Sequence, residues 1–550
     1  MKNIELIFKF HLIVVFLISG KALEAQNFNP FTDPSLILRL DDQSPFYKDS
    51  AGTQPCTNGD SCGYWGDLSG KGHNAYAVKG ANKPVYVANA LNGKAGLKWT
   101  YAGASQRLSL GRPQQLYHLQ NTKNFSFLII ATSNMVTHSG FLLSEGNGNS
   151  CIFNVFFNNN APETYYPSSV GIPVTGNGFF TYGVTCVDTI SGFSQGISRF
   201  YQDGSCRGSS EAIDVDTTDN IAIGDMSDGS VYYSFNGTIF ALYIYNRTLS
   251  PSEMFQADQF LRNRYSQIWP GDASGKMIIW DGNSISMNDA IVAEVANLLN
   301  IPPAAIFNIA WGGKDYIEMN TYHNDVDSIV PYLPKGKQLI SVGWEWTNEL
   351  MEDGMNPSAA YQDMITYCKN VKAMGMQFVT GTCLPRCNNA GFETAREEVN
   401  DSLRADHTNI EALADCGADS IMGNANNACN TALYGDGLHP TPHGDTIISP
   451  YFANAIKSLP VTNPTLIPEK TSADGMISIY PNPAKDKITI EISDGNSVNN
   501  IEIFDISGKL ILSQTILMKN NFGISSLEPG IYIIKVSGNS GVFIGKVIKD

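Results

Sequence analysis

The sequence predicts a multidomain chain: an all-β sandwich, then an α/β unit with a parallel sheet, then a second, smaller β-sandwich. Three observations predict it. At 550 residues the chain is too long for one hydrophobic core. Hydrophobic residues make up 43% and charged residues 16%, which describes folded material, and 50 glycines with 11% aromatics favour turn-rich β structure. At about Gly275 the apolar pattern changes from short aromatic and β-branched runs to alternating strands and helices, and after a polar linker it changes back.

Residues 1–25 read as a secretory signal. Lys2 and Lys9 are basic, Leu12 to Ser19 (LIVVFLIS) is a short apolar core, and small residues follow, with cleavage after Ala22 or Ala25. The run is too short to cross about 30 Å of hydrocarbon. No later stretch is long and apolar enough, so no transmembrane segment is expected in the mature chain. The net charge of -16 comes without a Lys/Arg cluster, which argues against nucleic acid and anionic membrane surfaces as partners. Ten cysteines in an exported chain suit disulfides. Cys56 with Cys62, Cys186 with Cys206, and Cys387 with Cys429 are the candidate pairs. CLPRC (Cys383 to Cys387) lacks a second half with zinc-ligand spacing.

Residues 26–270 carry sandwich patterning. Runs such as FSFLIIAT (Phe125 to Thr132) and FALYIYN (Phe240 to Asn246) are separated by Gly, Asn and Asp clusters. Near the end, Leu249 to Tyr265 reads as a helix capped by Ser250 or Ser252, with Glu253 in its first turn. YWGDLSGKGHNA (Tyr64 to Ala75), LNGKAGLKW (Leu91 to Trp99) and FNGTIFALYIYNRTLSPSEM resemble the laminin-G-like, concanavalin-type sandwich of secreted bacterial proteins. The resemblance implies a lectin-like fold that often binds glycans, sometimes with calcium. No residue here is singled out as a sugar or calcium ligand, and Trp65, Asp67 and Asn74 also suit a purely loop-fixing role.

Residues 275–460 alternate strand and helix. MIIW (Met277 to Trp280) reads as a strand buried on both faces, and Ala290 to Asn300 as an amphipathic helix. AIFNIA (Ala305 to Ala310), LISVGW (Leu339 to Trp344) and QFVTGT (Gln377 to Thr382) are further strands, with a helix from Ala359 before the last. That order predicts a parallel sheet covered by helices, with function at the carboxyl ends of its strands.

Four groups fall at such ends. Ser284 follows the first strand in DGNS. Alone it reads more readily as a helix cap than as a nucleophile. As a nucleophile it needs a base, and the base needs an orienting group. YGDGLHPTPHGD (Tyr434 to Asp445) supplies Asp436 and His439 three residues apart. His443 is the competing base, without a carboxylate at the matching spacing. Gly313 in AWGGKD, or its neighbour Gly312, and Asn348 in WEWTNEL would join the Ser284 N–H as oxyanion donors, each worth about 3 kcal/mol in a transition state.

Taken together, these blocks resemble the SGNH (GDSL-type) hydrolase family. The resemblance implies a flavodoxin-like α/β fold, with Ser284 as nucleophile and Asp436 and His439 as its partners. It makes Ser284, Gly313 and Asn348 the oxyanion hole, and implies ester hydrolysis through an acyl-enzyme with no cofactor for catalysis. Two departures stand out. Asn283 replaces the usual Asp beside the serine, a position that mainly supports the turn. Trp346 enlarges the third block and would narrow the acyl pocket. The expected substrate is an acylated polysaccharide, with acetyl the expected group, on the strength of the lectin-like neighbour. The alternative is a glycan-binding surface protein whose hydrolase-like domain is inert.

Residues 461–474 (within VTNPTLIPEKTSADG) read as a linker. In 475–550, MISIYPNPAKDKITIEI, IEIFDISGKLI and LEPGIYIIKV resemble the C-terminal sorting domain of type IX secretion cargo in Bacteroidetes. This implies a small β-sandwich, a partnership with that secretion machinery, and a destination outside the cell or on its outer surface.

Overall fold

The structure is a computed structural model. It describes residues 28–100, 105–111, 124–134, 140–145, 155–158, 161–164, 170–171, 178–187, 196–211, 220–225, 234–461 except 288, 322–323, 352–353 and 355, and 477–549 except 493–497, 506–509, 516–520 and 539–540. The signal segment 1–25 and nearly all of the linker 461–474 lie outside them. The chain divides into a compact unit Phe28–Ile467 and a C-terminal one.

In the larger unit, two antiparallel sheets face each other across a core that includes Leu38, Trp65, Trp99, Phe127, Tyr182 and Ile244. The strand Phe125–Ser133 shows why its apolar run is unbroken. Phe127, Ile129 and Ala131 enter this core, whereas Leu128 and Ile130 join a second core on the sheet's other face. The helix Pro251–Arg264 packs into that second core, through Met254, Phe255 and Leu261. Ser250 caps it, in a capping box with Glu253.

Lys276–Gly282 (the serine strand), Ile306–Asn308, Gln338–Trp344, Gln377–Gly381 and Ala412–Ala414 form a parallel array. The serine strand lies between the second and third of these, the flavodoxin-like order. Its carboxyl end is therefore a topological switch point, where a crevice opens between diverging connections. This array does not stand apart from the sandwich. Ser205–Glu211, here the junction strand, runs parallel to Ile306–Asn308 with Arg207 opposite Asn308, so one 13-stranded sheet spans both.

The loop around Asp67 is internally satisfied. The Asp67 carboxylate accepts from the N–H groups of Arg39, Ser69 and His73, and Asn74 accepts from the Asp67 N–H. Of the three candidate disulfides, Cys387–Cys429 is formed. Cys186 and Cys206 are not joined, because they lie on opposite faces of one sheet, in different cores. Cys56 and Cys62 are also thiols, and Cys62 Sγ donates to the Tyr64 carbonyl at 3.1 Å. The C-terminal unit has a three-stranded and a four-stranded antiparallel sheet around Ile488, Ile501, Ile503, Phe522 and Ile534.

Candidate active site

The serine strand must end in glycine. A Cβ on Gly282 would stand 2.6 Å from the Trp344 carbonyl of the neighbouring strand. Asn283 then turns the chain: its Oδ1 accepts from the Ile285 N–H at 2.9 Å, and its carbonyl from the Ser286 N–H at 3.1 Å. Ser284 sits at the tip, half-buried. It does not cap the following helix, Ala290–Leu299, whose cap position is Asp289 at φ 65°.

The loop Tyr434 to Pro440 closes on itself, with the Gly435 N–H donating to the His439 carbonyl at 2.9 Å. Asp436 Oδ1 accepts from the N–H groups of Leu438 and His439, at 3.0 and 2.8 Å. Its Oδ2 lies 2.7 Å from His439 Nδ1, and His439 Nε2 lies 2.7 Å from Ser284 Oγ. With Nδ1–H donating to the carboxylate, Nε2 is left to accept the serine proton. Burial pushes the Asp436 carboxyl up, but the hydrogen bonds from His439 and Leu438 outweigh it and hold it down at about 2. The side chains of His439 and Asp436 are 39% and 58% exposed, so water reaches the relay. His443 is exposed in the first turn of Pro442–Ser458, and it is His439 that meets the serine.

The other predicted residues converge on the same turn. Gly313 has φ 82°, and a Cβ on Gly312 would be 3.9 Å from Ser284 Cβ, so the diglycine loop runs beside the serine. Asn348 is buried, and its Nδ2 donates to the Lys314 carbonyl at 3.1 Å. An amide has two such hydrogens, so the second is left for another acceptor. Trp346 does not narrow a pocket. It is 2% exposed, its Nε1 donates to the Gly381 carbonyl at 2.8 Å, and its ring packs 5.0 Å from that of Tyr316.

Sequence reasoning missed two supports. Glu345 Oε1 accepts from Asn283 Nδ2 at 3.1 Å and from the Asn348 N–H at 2.6 Å, tying the serine turn to the asparagine turn. Burial first, and then the nearby Asp315, push its carboxyl up to about 8. The other support is a sealed ion pair, Lys314 Nζ to Asp281 Oδ1 at 2.5 Å, with side chains 0% and 1% exposed. Tyr367 donates to the second Asp281 oxygen at 3.2 Å. A lysine next to the diglycine and an aspartate next to the glycine of the serine turn were the only signals. Among the described residues no group of three or more His, Cys, Asp or Glu is arranged to hold a metal ion.

Comparison with known proteins gives one family match: residues 478–550 fit the secretion system C-terminal sorting domain. The chain is accordingly cargo of type IX secretion, exported to the cell surface or beyond. No helix among the described residues is long and apolar enough to cross a membrane. No curated protein matches. Among solved structures, Trypanosoma rangeli sialidase bound to sialic acid aligns at 16% identity and TM-score 0.30, over 42% of this chain and 33% of that one. The chain thus spans about a third of the sialidases it matches. A lipolytic G-D-S-L family protein from Veillonella parvula aligns at 15% identity and TM-score 0.28, over 34% of this chain and 100% of that one. A GDSL-like lipase from Bacteroides thetaiotaomicron gives 15% and 0.27, over 36% and 96%. TM-scores of this size are too low to bear on fold or activity.

Proposed function

We propose that the exported chain is a serine esterase of the SGNH type that removes acyl groups, acetyl foremost, from a polysaccharide. The observation that carries the reading is the unbroken relay Ser284–His439–Asp436, with both contacts at 2.7 Å. Ser284 Oγ attacks the ester carbonyl carbon while His439 Nε2 takes its proton. The oxyanion draws on the N–H groups of Ser284 and Gly313 and on Asn348 Nδ2. Collapse expels the alcohol, which leaves with the proton from His439. Water then attacks the acyl-enzyme by the same route and frees the acid and the serine. No metal or organic cofactor enters these steps.

The polysaccharide part of the reading comes from the laminin-G-like character of the sandwich motifs and from export to the cell exterior. A relay with half-open side chains also suits an ester borne on a bulky polymer better than one that must be engulfed. The test is hydrolysis of p-nitrophenyl acetate and of acetylated polysaccharides by the full chain, beside Ser284→Ala and His439→Ala. Both variants should fold and lose on the order of 10⁴-fold or more in kcat. Activity that persists in Ser284→Ala would move the nucleophile elsewhere. A wild type that neither hydrolyses any acyl chain length nor reacts with a fluorophosphonate would leave a binding protein.

A further inference from the structure

The sandwich reaches the catalytic loops through buried groups on one strand. Arg207, on the junction strand, is 1% exposed. Its Nη2 donates to Asp289 Oδ2 at 2.7 Å, and its Nη1 to the Ile306 carbonyl at 3.1 Å and to that of Pro303. Asp289 closes the turn that begins at Ser284. Two residues along the strand, the Ser209 N–H donates to the Met287 carbonyl at 3.0 Å and Ser209 Oγ to the Ala310 carbonyl at 2.7 Å. Between them Gly208 has φ 146°, and a Cβ there would lie 2.3 Å from the Met287 carbonyl oxygen. The strand backbone is pressed directly against the serine turn. Asn308, opposite Arg207, completes the arrangement by donating to the Ser286 carbonyl at 2.7 Å. A second sandwich arginine, Arg199, pairs with Asp325 and lies 5.5 Å from the Trp311 ring, next to Gly312.

Met287 and Asp289 are the far end of the loop that presents the nucleophile. Ala310 begins the loop that presents the diglycine. Asn308 of the parallel array holds the Ser286 carbonyl and the Ala310 N–H, whereas the carbonyls of Met287 and Ala310 are held by Ser209 of the junction strand. Attack on an ester requires oxygen, base and donors to agree in position, and an error of about 1 Å costs roughly 100-fold in rate.

We infer that the junction strand belongs to the catalytic scaffold: Arg207 and Ser209 are positioning residues that keep the Ser284 turn and the Gly312–Gly313 loop in register. The sandwich is then required for turnover, apart from any glycan contact it makes. This rests on the esterase reading above.

The test uses the full chain. It measures kcat and KM for p-nitrophenyl acetate, together with the rate of Ser284 labelling by a fluorophosphonate. The variants are Arg207→Gln/Asp289→Asn, Arg207→Lys and Ser209→Ala. The double variant removes both charges, so no lone buried charge remains. Its kcat and labelling rate should fall together by about 10- to 100-fold, with KM within about twofold of wild type. Arg207→Lys should recover part of the loss, because it keeps a cation on Asp289 but not the forked contacts. Ser209→Ala deletes one hydroxyl and decides the matter if the double variant does not fold; it should lose several-fold in kcat at unchanged KM. Wild-type kcat in the folded variants would overturn the inference and leave the esterase reading standing. A wild type that neither hydrolyses nor labels would overturn both.

Discussion

Gly437 and Cys387 are in backbone contact. The Cys387 N–H donates to the Gly437 carbonyl at 2.9 Å, and a Cβ on Gly437 would stand 2.7 Å from Cys387 Cβ. Gly437 lies between Asp436 and His439 at φ 85°, and Cys387 is cross-linked to Cys429. The loop that carries His439 is thus seated on the disulfide.

Gly437→Ala should therefore damage both folding and rate. The left-handed backbone and the close approach together cost about 1–3 kcal/mol, read by urea denaturation. kcat should fall roughly tenfold or more as His439 shifts. Cys387→Ser/Cys429→Ser opens a cross-link between residues 42 apart and should lose about 4 kcal/mol. A folded Gly437→Ala with wild-type kcat would show that the loop is held elsewhere.

On the proposed esterase reading, Asn348→Ala should lower kcat by about 10²- to 10³-fold, with a small change in KM, because its Nδ2 would act on charge that exists only in the transition state. The Asn348 N–H bond to Glu345 survives the substitution, so the fold should hold. A rise in KM at constant kcat would assign Asn348 to substrate binding instead.

Glu345→Gln should make the protein more stable at pH 8 by roughly 1–3 kcal/mol and flatten its stability profile. The native carboxyl, raised from 4.5 to about 8, stays protonated where the unfolded chain has already ionised. The unfolded state then binds fewer protons, so stability falls as pH rises from about 4.5 to 8. Gln keeps the acceptor for Asn283 and Asn348. Asp436 acts in the opposite sense: its contribution is present above about 3.8 and is lost as pH falls through about 2. Melting curves across pH 4–9 for wild type and Glu345→Gln check the Glu345 effect, and parallel profiles would refute it.

Lys314→Met should destabilise by about 3–5 kcal/mol, since it strands Asp281 without its cation in a site that excludes water. Adding Asp281→Asn should restore much of the loss. Urea midpoints with unchanged slopes would read both effects. Additive losses in the double variant would mean that the two side chains act independently.

The relay was legible because its parts obey local rules. A serine follows a buried strand, and an Asp and a His three apart share one loop. The supports were not legible, because each joins segments far apart in sequence. Glu345 meets Asn283, and Lys314 meets Asp281, only after the strands are laid side by side. Trp346 shows the same limit: its block suggested a pocket wall, but a side chain's direction is set by burial, and the indole went to the core. Cys186 and Cys206 sat at a plausible spacing, yet strand pleating sent them to opposite faces. Cys387 and Cys429 met because two loops converge at the relay.

The shared sheet has a consequence for how the protein comes apart. One hydrophobic core contains Leu128, Ile130 and Tyr201 from the sandwich side together with Ile278, Val342 and Phe378 from the parallel array. Cutting the chain near residue 270 would not separate two finished modules; it would tear open an interior. Heat should melt Phe28–Ile467 in a single cooperative step, and a graft of either half onto another protein would carry a raw, adhesive face with it.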